Sequence, residues 1–250
     1  MKEIIAVINQ KGGVGKTTTV LAAGAGLIKR GFRVLYVDLD AQGNLSQTLK
    51  AAAGGFSALE LLEGKATAAQ VIQRLPQGDI IPASRALSGA DTFITAVGKE
   101  YRLKEALNLV KEEYDYILID TPPALGVLTI NALTACTCAI IPAQADMYSL
   151  QGITQLYDTI DAVRQYCNSS LEIKGILLTR YSGRTVLSKD IAAIMAETAV
   201  RFNTRLFKTA IREAISVKEA QAEQQDIFSY APKNNAAVDY AEFIDELIGQ

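Results

Sequence analysis

The stretch "NQKGGVGKTTT", residues 9–19, has the composition and position of a phosphate-binding loop. Its glycines permit backbone conformations in which successive N–H groups point at one centre, and that arrangement binds anions. The stretch follows a short apolar run and precedes a helical pattern, the context in which such loops bind phosphate. We therefore predict that the backbone of Gly12, Gly13, Val14 and Gly15 surrounds a phosphate group.

Three polar side chains follow the glycines at the start of the predicted helix. Lys16 supplies a positive charge for β- and γ-phosphates, Thr17 a hydroxyl for Mg²⁺, and Thr18 a hydroxyl for the α-phosphate. The helix adds the positive end of its dipole. A plain glycine-rich turn between a strand and a helix is the alternative, and the run Gly-Lys-Thr-Thr argues against it.

The loop departs from the usual pattern G-x-x-x-x-G-K-[ST] at two neighbouring positions. Gln10 stands where the first glycine is expected, and Lys11 adds a second lysine inside the loop. A solvated loop lysine is the alternative interpretation of Lys11.

The two departures occur together in one known family: "KGGVGKTTT" resembles the deviant Walker A motif of the ParA/MinD class of P-loop ATPases. Further blocks similar to that class follow in order and cover nearly the whole chain: "YVDLDAQGN" (36–44), "ILIDTPPALGVLTINAL" (117–133), "QADMYSLQG" (144–152) and "GILLTRYSGRT" (175–185).

The resemblance implies a role for each of several charged residues. Lys16 would bind the nucleotide of its own subunit, and Lys11 would reach across a dimer interface to the phosphates bound by the other subunit. Asp40 would position the attacking water, and Asp120 would reach Mg²⁺ through water, together with Thr17. The role of Asp38 stays open, with a structural hydrogen-bonding role at the strand end as one alternative.

The elements that position these residues alternate between apolar strands and amphipathic helices, which indicates a parallel sheet covered on both faces. We predict a P-loop NTPase-like α/β fold with a mostly parallel central sheet, formed by one domain over residues 1–250 without an N-terminal helix-turn-helix. The segment 51–98 is less regular. The predicted strands are 3–8, 33–40, 114–120, 138–144, 172–180 and 205–211, and the predicted helices are 17–31, 100–113, 148–166, 186–202 and 234–248.

Composition excludes several kinds of chemistry. The chain has no histidine, which removes Ser-His and Cys-His catalysis and histidine-ligated metals. Its three cysteines, Cys136, Cys138 and Cys167, form no C-x-x-C pair, so buried structural cysteines are the favoured interpretation. No run approaches the ~18 apolar residues of a membrane helix. A cytoplasmic protein is the expectation.

Charge is distributed unevenly along the chain. Residues 174–218 hold nine lysines and arginines against three acidic residues, whereas residues 219–250 hold one lysine against seven acidic residues. A concentrated basic segment is typical of proteins that bind the phosphate backbone of nucleic acids. Solvated helix faces are the alternative. We expect contact with DNA first from Arg184 and then from the supporting candidates Arg180, Lys189, Arg205, Lys208 and Arg212.

The resemblance then implies a ParA/Soj-type partition ATPase. ATP and Mg²⁺ would drive a homodimer that binds duplex DNA non-specifically, at the nucleoid, and a ParB-like centromere-binding partner would stimulate hydrolysis. No membrane binding is expected, because the tail "AAVDYAEFIDELIGQ" is acidic and lacks lysine and arginine. A MinD-like spatial regulator on a membrane or protein scaffold is one alternative, and a metabolic ATP-dependent ligase or synthetase is another.

One segment breaks the family pattern. Where the family usually has a sequence like "IRENVALSEAPSFG", this chain has "IREAISVKEAQAEQQ" at 211–225, with Ala214 and Gln221 in place of the asparagine and the proline. The DNA contacts of this segment are therefore not predicted, and the adenine pocket is not assigned.

Overall fold

The computed structural model of the chain describes residues 3–183 and 185–249 and contains a six-stranded sheet. All six strands pair in parallel in the order β3-β2-β4-β1-β5-β6, which confirms the predicted mostly parallel sheet. The strands are β1 (Glu3–Val7), β2 (Val34–Asp38), β3 (Asp79–Ile81), β4 (Tyr116–Asp120), β5 (Cys138–Ala143) and β6 (Glu172–Leu178).

Helices follow most strands, as the crossover connections of a parallel sheet require. Long helices occupy four of the predicted positions, and shorter ones fill the less regular segment 51–98. The helices are α1 (Lys16–Lys29), α2 (Asn44–Thr48), α3 (Ala58–Leu62), α4 (Ala68–Val71), α5 (Ala90–Phe93), α6 (Arg102–Asn108), α7 (Val127–Ala135), α8 (Met147–Tyr166), α9 (Val186–Arg201), α10 (Ile215–Ala222), α11 (Ile227–Tyr230) and α12 (Asn235–Ile248). Among the described residues, no helix is long and apolar enough to cross a bilayer.

The core has two layers because alternate strand residues face opposite sides of the sheet. Helices α1, α11 and α12 cover one face, where Leu27 and Phe243 are fully buried. Helices α3 and α6 to α9 cover the other face, with Leu103, Ile153 and Met195 fully buried. Both faces of the sheet are therefore apolar, which explains the near-continuous apolar strands in the sequence.

Helix α1 lies unusually close to the sheet at Gly24. A Cβ atom at this position would overlap the ring of Tyr36 on β2, whose side chain is completely buried. This close approach fixes α1 and, with it, the loop that precedes the helix.

The prediction of a sixth strand at 205–211 was wrong. This segment makes only isolated bridges beside β6, at Ile176–Leu206 and Tyr181–Arg212, and the sixth strand is instead β3, inside the irregular segment. Both edges of the sheet are consequently shielded: 205–212 lies along β6, and an antiparallel bridge from Gln73 to Ile80 lies along the three-residue β3.

Candidate nucleotide site

A cleft of about 890 Å³ opens at the carboxyl edge of the sheet. Its walls are the loop before α1, the β2–α2 connection, the end of β6 and the segment 211–224. Ligands of open parallel sheets bind outside the carboxyl ends of the strands, and the volume is in the range of small-molecule sites. The segment that breaks the family pattern therefore forms one wall of this cleft.

The loop's backbone explains which of its glycines are required. Gly13 and Gly15 have left-handed φ angles of 73° and 86°, where a side chain is strained. Gly12 and Gln10 are not left-handed. A side chain at position 10 therefore carries no backbone penalty, which is why glutamine can stand where other phosphate loops have glycine.

Side chains from three strand ends hold the loop in place, and the sequence reasoning gave none of them a role. Asn9 donates to the carbonyl of Pro142 at 2.7 Å and accepts from the N–H of Lys11. The buried Thr179 donates to the carbonyl of Val14 at 2.8 Å, and Gln144 donates to that of Gly13. Their position in the sequence could have identified them, because each is a polar residue that follows the apolar segment of a predicted strand.

Lys16 is buried at the floor of the cleft, 7% exposed. Its ammonium donates to the carbonyl of Lys11 at 3.3 Å. Burial lowers the pKa of Lys16, and the carboxylates of Asp120 and Asp40 oppose that change. The lysine thus stands with two carboxylates in a desolvated pocket, where a bound anion would gain a strong charge-assisted contact.

The donor set at the tip of β4 fits Mg²⁺. Asp120 is buried, and neither of its carboxylate oxygens has a hydrogen-bond partner among the described residues. Burial and the neighbouring Asp38 raise the pKa of Asp120, against the effects of Thr17 and Lys16. An orphaned carboxylate beside a threonine hydroxyl is the hard oxygen environment that Mg²⁺ prefers. Thr17 and Asp120 are the residues that would hold the ion.

The two aspartates after β2 differ in environment. Asp38 is fully buried and accepts hydrogen bonds from the N–H and hydroxyl of Ser46 at 2.8 and 2.7 Å. Burial raises the pKa of Asp38 to about 6 despite these bonds. These contacts favour a structural hydrogen-bonding role for Asp38 at the strand end, because they join α2 to the sheet. Asp40 lines the open cleft, and its carboxylate accepts the N–H of Gln42 at 3.0 Å. Its other oxygen accepts no hydrogen bond from residues 3–183 or 185–249.

Lys11 lies outside the cleft that Lys16 lines. Its ammonium donates to Asp146 at 2.6 Å and to Ser149 at 3.4 Å, at the start of α8. Asp146 also caps α8 by accepting the N–H of Ser149. Burial acts to raise the pKa of Asp146, but the contacts with Lys11 and Ser149 bring it below its usual value. The second lysine is thus held by the chain's own carboxylate and points away from its own cleft.

The basic segment is partly paired with acidic residues. Arg212 makes a bidentate ion pair with Asp239 of α12, and Arg205 lies 3.9 Å from Glu246. Arg180 pairs with Glu213. The acidic C-terminal helix therefore neutralises part of the basic segment that precedes it in the sequence.

The predicted DNA-contacting residues separate into groups by position. Arg180 and Arg212 line the nucleotide cleft, and Arg180 has a left-handed φ of 50°. Lys189 and Lys208 are exposed and form no ion pair with another described residue. Arg184, the first candidate, lies outside the described residues.

Comparison with known proteins places the chain in a family. A family model described as an AAA domain matches residues 2–173. The sporulation initiation inhibitor protein Soj of Bacillus subtilis is 39% identical over 252 residues, which cover 99% of this chain and 98% of that protein. The chromosome partitioning protein ParA of Caulobacter vibrioides is 36% identical over 254 residues, 99% of this chain and 94% of that protein. The chain belongs to the ParA/MinD family of P-loop ATPases.

The fold of this ParA/MinD family member also matches solved structures. A cobyrinic acid a,c-diamide synthase from Mycobacterium smegmatis with bound ADP and magnesium has a TM-score of 0.85 and 36% identity, and the match covers 99% of this chain and 94% of that chain. A related structure of that protein contains an ATP analogue and magnesium. These ligands agree with the donor set of the cleft.

Proposed function

We propose that this protein is an ATP-dependent DNA partition ATPase of the ParA/Soj type. The observation that carries the proposal is the different placement of the two loop lysines. Lys16 lines the cleft, whereas the Lys11 side chain points out of it. Because Lys11 points away from its own cleft, it is available to exchange Asp146 for a phosphate bound by a second subunit. The full-length similarity to Soj and ParA supports the same function.

Within one subunit, the loop and Lys16 bind the phosphates of ATP. Thr17 and Asp120 hold Mg²⁺, which when bound neutralises phosphate charge. Asp40 orients the attacking water, because its carboxylate lies in the cleft with an oxygen free to accept a proton or a hydrogen bond.

Two subunits associate through an apolar patch formed by Met147, Tyr148, Val186 and Leu187. These side chains are 60%, 80%, 74% and 66% exposed. They begin α8 and α9, which follow the neighbouring parallel strands β5 and β6 and therefore start at the carboxyl edge of the sheet. Large exposed apolar side chains beside a site are typical of an interaction surface. A second copy seated there would bring its nucleotide toward Lys11, next to α8.

The dimer binds DNA without sequence preference, through phosphate contacts. Arg184, Lys189, Lys208 and Arg205 carry this contact, since Arg180 and Arg212 lie at the cleft. Dimerisation joins two weak basic surfaces into one bivalent surface, which raises affinity without new kinds of contact. A ParB-like partner on DNA stimulates hydrolysis and releases the dimer.

The test measures binding of the protein to duplex DNA by gel shift and to anionic vesicles by pelleting, each with ATP or ADP and Mg²⁺. A sample without DNA or vesicles is the control. We expect the ATP form to shift duplexes of unrelated sequence equally and to leave the vesicles in the supernatant. Pelleting with vesicles instead of DNA binding would favour a MinD-like regulator. DNA binding that is equal with ADP would contradict the nucleotide switch.

A metabolic synthetase is the second candidate, and the similarity to the Mycobacterium smegmatis protein named as a synthase favours it. Such an enzyme needs a small-molecule substrate for ATP turnover. A partition ATPase turns ATP over slowly alone and faster with DNA and its partner. Steady-state ATPase assays with and without DNA, on protein freed of small molecules, separate the two.

A further inference from the structure

A side chain of α10, which forms one wall of the cleft, contacts the start of α1, directly after the phosphate loop. Gln221 Nε2 donates to Thr18 Oγ1 at 2.9 Å, across 203 positions of the sequence. Both residues line the cleft. Gln221 is also a residue at which this chain departs from the sequence "SEAPSFG", so the contact belongs to this chain's own pattern.

Helix α10 is built to present this glutamine. Ser216 and Ala220 face the interior and are 9% and 2% exposed, while Val217, Lys218 and Gln221 line the cleft. Positions 217, 218 and 221 share one face of a helix, and positions 216 and 220 share another. The buried face therefore fixes the helix, and the opposite face projects its side chains into the cleft.

The direction of the hydrogen bond has a chemical consequence. A hydroxyl has one donor proton and two acceptor lone pairs. When the amide of Gln221 occupies a lone pair of Thr18 Oγ1, the hydroxyl proton is free to point elsewhere. Thr18 is the third residue of α1, at the helix N-terminus, where a phosphate is expected to bind.

We propose that Gln221 is a positioning residue for nucleotide binding: it holds the Thr18 hydroxyl so that its proton is directed at a nucleotide phosphate. The same contact links α10 to α1, so the wall of the cleft and the phosphate loop act together. The inference rests on nucleotide binding by the loop and is independent of dimerisation and DNA.

The test is a double-mutant cycle with Thr18→Val and Gln221→Ala, measured as affinity for ADP and ATP with Mg²⁺ by calorimetry. Gln221→Ala alone should weaken binding about two- to tenfold, the usual contribution of one hydrogen bond. In the Thr18→Val background, Gln221→Ala should have no further effect. If the glutamine acted only by packing α10, its effect would persist there and the inference would be overturned.

The variant Gln221→Glu tests the direction of the bond. A carboxylate only accepts hydrogen bonds, so it would draw the Thr18 proton away from the phosphate and should weaken binding more than Gln221→Ala does. Gln225→Glu adds the same charge just beyond α10 and should change affinity less. Unchanged affinity in Gln221→Glu would show that the glutamine accepts the proton, which would overturn the proposal.

Two controls separate this inference from the proposed function. Lys16→Ala should abolish nucleotide binding, and retained binding there would place the nucleotide elsewhere and overturn both. Melting temperatures measured without nucleotide should be the same for wild type, Gln221→Ala and Gln221→Glu. A loss of binding in the Gln221 variants that matched a loss of folded protein would contradict a positioning role.

Discussion

At the scale of single residues, the two lysines of the loop should separate experimentally. Lys16→Ala removes the buried ammonium from the cleft, and we expect ATP binding to be lost in calorimetry. Lys11→Ala removes a side chain whose ammonium donates, within the described part of the chain, to Asp146 and Ser149. It should leave ATP affinity unchanged but weaken ATP-dependent dimers in light scattering and reduce turnover. Normal dimers with normal turnover would make Lys11 a bystander.

Asp40→Ala should block hydrolysis and leave nucleotide binding and dimerisation intact. The side chain lies in the cleft and makes no ion pair within the described residues, so its removal disturbs little of the fold. Loss of a group that orients or deprotonates water lowers the rate by roughly 10²–10⁴-fold. Single-turnover measurement of phosphate release checks this, and hydrolysis at the wild-type rate would assign the water to another residue.

Asp120→Asn should stabilise the nucleotide-free protein while weakening Mg²⁺-dependent nucleotide binding. Burial raises the pKa of Asp120, so the folded state holds a proton that the unfolded state releases, and stability falls as pH rises through the folded pKa. Asparagine does not titrate, so the Asp120→Asn variant does not lose stability in this way as the pH rises. Its melting temperature should exceed that of wild type at pH 8, and the difference should be smaller at pH 5. A difference that did not grow with pH would contradict the assignment.

At the scale of the elements, the starts of α8 and α9 carry the apolar patch that we propose as the dimer interface. Stacked rings join the middle of α8 to the C-terminal end of α9, where the centroids of Tyr157 and Phe202 lie 3.7 Å apart. We expect the apolar patch to behave as one surface because both helices begin at the carboxyl edge of the sheet, after neighbouring strands. The opposite end of α9 carries another exposed apolar residue, Val200, which provides a matched control.

Leu187→Ser should weaken the ATP-dependent dimer roughly tenfold or more, because each subunit of a symmetric dimer loses an apolar contact. Val200→Ser, on the same helix and 71% exposed, should leave the dimer unchanged. Analytical ultracentrifugation with a non-hydrolysable ATP analogue measures both. Equal effects of the two substitutions would show that the patch is not the interface.

The elements also show how far the sequence determines the fold. Five strands, and the loop between β1 and α1, are predictable because short, mostly apolar segments end in turn or polar residues. The sixth strand is not: β3 has only three residues and is buried by its neighbours, whereas the apolar stretch at 205–211 makes bridges without joining the sheet. Pairing partners, and not the local pattern, decide which short segment becomes a strand.

The candidate site is predictable to the same extent. Lys16, Thr17 and Thr18 follow from spacing, because the loop is contiguous. Contacts that join distant parts of the chain, such as Gln221 with Thr18 and Thr179 with Val14, have no local signal. The ion pairs of the basic segment are missed for the same reason, since Arg212 meets Asp239 only in the folded chain.

At the scale of the whole molecule, net charge is −2, so the proposed DNA binding requires a local basic surface. We expect affinity for duplex DNA to fall steeply with salt, with a log–log slope of roughly −0.9 per phosphate neutralised. Lys189→Ala and Arg184→Ala should each weaken all sequences about equally and reduce this slope by about one. Lys111→Ala is the control for loss of a positive charge, because Lys111 precedes β4 and lies at the amino ends of the parallel strands, away from the carboxyl ends. Fluorescence anisotropy at several salt concentrations measures the slope, and an unchanged slope in both variants would move the contact elsewhere.

The shielded sheet edges limit how copies of this protein can assemble beyond a pair. An exposed edge strand offers a template on which another molecule's strand can add, and sheets of separate molecules commonly fuse in this way. Here a bridge from Gln73 lies against β3, and the segment 205–212 lies against β6. Any larger assembly of this chain would therefore grow through helices and loops. Such an assembly should not bind dyes that detect cross-β fibrils.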